Sequence, residues 1–147
     1  MAEQETGGTG LGHREVHLTR TSRGEFDVRN VRGGTLHIGN GETADFTPVE
    51  LLLTAIAGCS GVDVDFITSK RAEPDSFEIR SAGEKLKDDN GNHMGDLEVT
   101  FTVRFPAGEA GDRAREMLPK AIVMSHDRLC TVSRTVQLGT PITMAAL

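Results

Sequence analysis

The chain has 147 residues, 37% of them apolar, a formal net charge of −6, and neither tryptophan nor tyrosine. That length buries a core without disulfides or metal, while the negative charge and the missing stacking rings weigh against nucleic acid or anionic lipid as partners. No stretch reaches the roughly 20 uninterrupted apolar residues of a membrane span, and the acidic start Met1-Ala-Glu-Gln-Glu does not resemble a secretory signal, so a cytoplasmic, reducing setting is expected.

Residues 1–12 are polar and glycine-rich and read as a flexible tail, leaving 13–147 as a single domain. The run Gly8-Thr-Gly-Leu-Gly12 has no strand before it and no helix after it, which rules out a dinucleotide loop. Short alternating segments follow at Val16–Leu18, Phe26–Val31 and Leu36–Ile38, punctuated by Ser22-Arg-Gly24 and Arg32-Gly-Gly34, and predict an antiparallel meander.

From Pro48 to about Arg71 the pattern changes to a helix. Thr47 as N-cap, Pro48 in the first helical position and Glu50 three residues after the cap form a capping-box signature. Beyond it, Val49, Leu51, Leu52, Leu53, Ile56, Val62, Val64, Phe66 and Ile67 leave almost no polar face, the mark of a buried helix. Gly58 and Gly61 bracket Cys59, and each costs about 1 kcal/mol of helix propensity relative to alanine. Close approach of another backbone or of a ligand accounts for that cost. Asp63 and Asp65 are read as marking where the helix nears solvent or an interface.

Phe77-Glu-Ile79-Arg predicts a strand running toward Lys85, Asp88-Asp-Asn-Gly-Asn92 a hairpin turn, and Leu97–Phe105 an unbroken alternating return strand stopped by Pro106. The acidic turn lacks the glycine and glutamate of a calcium loop. Residues Glu109 to about Leu129 predict a second helix that Pro119 breaks or kinks. Thr135–Leu138 with Ile142–Met144 predict a final strand around Gly139 and Pro141. This order argues α+β with an antiparallel sheet.

Two cysteines, Cys59 and Cys130, are all the chain has. A reactive thiol with a second to resolve it is the minimum equipment for reducing a peroxide by way of a disulfide, while two inert core thiols are the alternative. His126 stands four residues before Cys130, yet too few further ligands are in view for a metal site, and no cofactor is called for. Gly58-Cys-Ser-Gly61 is not the serine-hydrolase elbow.

The stretch from Thr47 to Val64 resembles the central-helix motif of the osmotically inducible protein C and organic hydroperoxide resistance family, and Cys130-Thr-Val-Ser133 resembles its second cysteine motif. The resemblance runs from about Val16 to Met144. It implies an intertwined homodimer, with antiparallel sheets wrapped around long central helices and two active sites shared at the interface. It also implies reduction of organic hydroperoxides, or of hydrogen peroxide, with Cys59 as peroxidatic cysteine, Cys130 as its disulfide partner and an external dithiol as reductant. An arginine is implied to keep the Cys59 thiolate charged and Glu50 to hold that arginine; Arg32 is preferred for the role over Arg20 and Arg23. Nine residues put Glu50 and Cys59 on opposite sides of a regular helix, about 13 Å apart along its axis, so Glu50 would serve the partner chain's cysteine. Gly58 and Ser60 beside Cys59, and Thr131 after Cys130, depart from the family's usual alanine, aromatic and proline. A non-enzymatic small-molecule-binding or redox-sensing member of the same fold is the second reading.

Overall fold

The structure, a computed structural model, describes residues 10–147, so most of the tail expected at 1–12 lies outside the described residues. The chain divides into two units, 1–51 and 52–147. In the first, β1 (His17–Ser22), β2 (Glu25–Arg29) and β3 (Thr35–Ile38) pair antiparallel in that order, as the alternation predicts. Among its described residues Ile38 is the buried side chain, followed by the backbone bond from Gly39 N–H to the Phe46 carbonyl at 3.0 Å.

On this small sheet His37 of β3 faces Asp27 of β2, its register partner, with Nδ1 2.7 Å from the carboxylate, while Glu25 and Asp45 approach Nε2 at 3.6 and 4.0 Å. The Asp27 hydrogen bond, only partly opposed by desolvation, raises the His37 pKa. The resulting stability is fully present below the unfolded imidazole's pKa and fades as pH rises through the higher folded one. An NMR titration should therefore place the His37 midpoint above the ordinary value of about 6.5, and Asp27→Asn should bring it down.

The helix α1 (Pro48–Thr68) starts where its capping box predicts. Thr47 N–H donates to Glu50 Oε1 at 3.0 Å and Glu50 N–H to Thr47 Oγ1 at 3.3 Å, so two of the first-turn donors that lack helical partners are satisfied reciprocally. It ends at Thr68, three residues short of the expected Arg71. Its 21 residues are long and apolar enough to cross a membrane by length and composition, a property that uninterrupted apolar runs alone do not reveal. The burial is one-sided, correcting the expectation of a helix enclosed all round: Ile56, Ser60, Gly61, Val64 and Thr68 are buried, while Val62 and Phe66 are 48% and 60% exposed.

In the second unit β4 (Ser76–Asp88) and β5 (Gly91–Arg104) form one long antiparallel hairpin. Asp88 pairs with Gly91, so the turn is Asp89-Asn90, tighter than the expected Asp88–Asn92. The return strand begins at Gly91 instead of Leu97. Its register shifts opposite Ala82–Glu84, where Asp96 takes a left-handed φ of 51°, and that irregularity breaks the alternation upstream. Phe77 and Phe101 pack edge to face across the hairpin. At Gly61 of α1 a Cβ would come within 2.5 Å of Ile79 Cδ1 on β4, so the close neighbour is the end of a side chain and not the backbone or ligand expected. At Gly58 a Cβ would meet nothing within 4 Å.

Helix α2 (Glu109–Met124) contains Pro119 without ending there. It passes into one π-helical turn, Ser125–Leu129, and then into α3 (Thr131–Leu138). The C-terminal strand expected at Thr135–Leu138 and Ile142–Met144 is not formed. The first half is helix and residues 139–147 carry no regular structure. Cys130 caps α3, accepting from Ser133 N–H, and Gly139 closes it in the left-handed region at φ 63°. These two end signals outweigh the β-branched content of Thr131-Val-Ser-Arg-Thr-Val136.

Candidate functional site

Cys59 and Cys130 converge in the second unit. Cys59 stands in the middle of α1, half-buried, and Asp63 lies four residues on, hence on the same helical face. Cys130 sits at the junction of the π turn and α3 and is fully buried. The two Sγ atoms and an Asp63 carboxylate oxygen all lie within 4.8 Å of one another, and both thiols are free.

The π turn places Ser125, 1% exposed, so that its hydroxyl donates to Asp63 Oδ2 at 2.9 Å. The same turn brings Cys130 N–H onto the Ser125 carbonyl at 2.9 Å. A π turn widens the helix by one residue and is found frequently at functional positions. Here it links the carboxylate that faces the thiols to the backbone that carries one of them.

The two sulfurs differ in acidity. Burial raises the Cys59 pKa against a lowering bond from Val132 N–H, and the neighbouring Cys130 and Asp63 push it higher. None of these four influences is cationic. At Cys130 burial also acts upward, but it is outweighed by hydrogen bonds from the Ser133 side chain, Ser60, the Ser133 backbone N–H and Cys59, leaving its pKa lowered. Ser133 Oγ is 3.1 Å and Ser133 N 3.3 Å from Cys130 Sγ. Removing the Ser133 hydroxyl should raise the Cys130 pKa: ultraviolet thiolate absorbance against pH, compared in Cys59→Ser with and without Ser133→Ala, reads the shift.

Beside the pair opens a mostly apolar cavity of about 290 Å³, lined by Ile56, Ser60, Phe101, Ile122, His126 and Ser133 among others. Ser60 and Ser133 thus touch both the cavity and the Cys130 sulfur. His126 Nδ1 lies 2.8 Å from Asp127 on the exposed side of the π turn.

The remaining expected residues belong to the first unit. Glu50 is in the capping box, where the Thr47 backbone N–H holds its carboxyl below the usual carboxylate range. Arg32 lies in the exposed turn between β2 and β3, its N–H donating to Asn30 Oδ1 at 3.0 Å. Arg23 is in the β1–β2 turn and Arg20 on β1. Sequence reasoning missed Asp63 and Ser125. The spacing of Asp63 from Cys59 signalled a shared helix face, whereas Ser125, 62 residues from Asp63 along the chain, carried no local signal.

The family model described as OsmC-like protein matches residues 39–145. The chain belongs to this OsmC-like family. An uncharacterized protein of Mycobacterium tuberculosis is 26% identical over 133 residues, covering 88% of this chain and 93% of its own. Among solved structures, an OsmC-like protein of unknown function from Vibrio cholerae superposes with a TM-score of 0.73 at 13% identity, over 86% of this chain and 95% of that one. An organic hydroperoxide resistance protein of Bacillus subtilis gives 0.54 at 18% identity, over 86% and 92%. At such identities the structural likeness speaks for the fold. The architecture is α+β with antiparallel sheets, the OsmC-like fold.

Proposed function

We propose that the protein is a thiol-dependent peroxidase that reduces organic hydroperoxides, or hydrogen peroxide, in the cytoplasm. The reading is carried by one observation, that the only two cysteines of the chain meet within 4.8 Å beside an apolar cavity. The half-buried Cys59 is the attacking sulfur and the fully buried Cys130 resolves it. The Cys59 thiolate takes the distal peroxide oxygen, the O–O bond breaks, and the leaving alkoxide collects a proton as alcohol. The Cys59 sulfenic acid then condenses with the Cys130 thiol, releasing water and forming the S–S bond. An external dithiol reopens that bond by exchange and becomes the oxidised partner.

The raised pKa of Cys59 requires a cation to favour its thiolate. By the family resemblance this is an arginine, Arg32, supported by Glu50, in a homodimer whose sites are shared between subunits. The exposed apolar side chains of α1, Val62 and Phe66, support such pairing. A second reading, a non-enzymatic small-molecule-binding or redox-sensing protein, draws its support from the same raised pKa, because a protonated Cys59 is a poor nucleophile. Cumene hydroperoxide consumption with dithiothreitol separates the two: turnover by wild type well above Cys59→Ser supports the peroxidase, and equal rates overturn it.

A further inference from the structure

The mutual approach of two sulfurs and a carboxylate has a consequence independent of peroxide chemistry. We propose that the reduced protein binds a zinc-like divalent cation through Cys59 Sγ, Cys130 Sγ and the Asp63 carboxylate, with a fourth position open to water or another small ligand.

Zinc takes sulfur at about 2.3 Å and carboxylate oxygen at about 2.0–2.2 Å in a tetrahedral shell. Such a shell separates sulfur from sulfur by about 3.8 Å and sulfur from oxygen by about 3.5 Å. The three donor atoms already lie within 4.8 Å of one another, so closing around an ion needs only small side-chain motion. Two thiolates make the donor set soft and select zinc or a similar metal over calcium or magnesium.

The surroundings are those of a supported metal ligand set. Ser125, 1% exposed, donates to Asp63 Oδ2 at 2.9 Å and fixes the carboxylate from behind. Ser133 N–H donates to Cys130 Sγ at 3.3 Å, and the Val132 N–H bonds Cys59. Cys59 and Asp63 are half-buried, which leaves an entry path. Charge points the same way. Deprotonating both thiols beside the Asp63 carboxylate is costly without a cation, and a divalent ion neutralises most of the charge so formed. Binding displaces the thiol protons to solvent, so affinity rises with pH.

The test titrates the reduced, metal-free full-length protein with cobalt(II) under anaerobic conditions, without any peroxide, so that a failed peroxidase reading leaves the outcome unaffected. Expected are one equivalent of cobalt, thiolate-to-cobalt charge-transfer absorption with tetrahedral ligand-field bands, and full displacement by one equivalent of zinc. Asp63→Asn, checked for folding by circular dichroism, should weaken zinc binding at least about tenfold, and Ser125→Ala about 10- to 100-fold. Cys130→Ser should remove about half of the charge-transfer intensity. Absence of charge transfer in wild type overturns the proposal, as does an affinity that Asp63→Asn leaves unchanged.

Discussion

Replacing Cys59 by serine is expected to lower kcat/KM for cumene hydroperoxide by at least about a thousandfold, to the rate of dithiothreitol alone. A serine hydroxyl is far less ionised at neutral pH and far less nucleophilic than a thiolate, and the second thiol of the chain, Cys130, is fully buried and does not stand ready to replace it. Cys130→Ser should behave differently. Its first turnover survives, since Cys59 still attacks, but the sulfenic acid then has no neighbour to condense with and proceeds to sulfinic acid on further peroxide. Steady-state turnover then falls while single-turnover alcohol release remains. In wild type, one equivalent of hydroperoxide should give an intrachain Cys59–Cys130 disulfide by mass mapping. Finding only overoxidised Cys59 would show that the two thiols, although within 4.8 Å, do not resolve one another.

The largest stability effect is expected from Gly111→Ala. Gly111 is buried in the first turn of α2, and a Cβ there would overlap the Pro106 carbonyl oxygen and come within 2.9 Å of its carbon. Both obstacles are backbone, so no rotamer change relieves them. Arg115 holds that backbone as well, donating from Nη1 to the Phe105 and Pro106 carbonyls at 2.9 and 3.3 Å, and Asp112 pairs with Arg115 from the same turn. Relief therefore requires shifting the start of α2, costing about 3 kcal/mol. For a domain of this size that lowers Tm by about 6–12 °C, measurable by calorimetry. Gly58→Ala is the control: a Cβ at Gly58 meets nothing within 4 Å, so in the subunit alanine gains helix propensity.

Local chemistry made the first half of the fold legible. Thr47, Pro48 and Glu50 satisfy helix donors within one turn, so the start of α1 followed from adjacent residues. Turn residues set the pairing of β1, β2 and β3 in the same way. The fold departs from a local signal where two such signals compete. Thr135–Leu138 looks like strand by its local pattern, but a cysteine N-cap at Cys130 and a left-handed Gly139 place it in the helix Thr131–Leu138. At β5 the left-handed Asp96 shifted the register and hid the stretch Gly91–Asp96 of the strand.

The amino-acid sequence by itself determined the family motif, the presence of just two thiols, and the helix that carries one of them, Cys59. Each rests on residues close together along the chain. Only the tertiary structure decided that Asp63 and Ser125 join the thiols, and that burial raises the Cys59 pKa while serine hydrogen bonds lower that of Cys130. Acidity at a buried sulfur depends on which donors surround it. Those donors come from α1, the π turn and α3, which become neighbours only when the chain has folded.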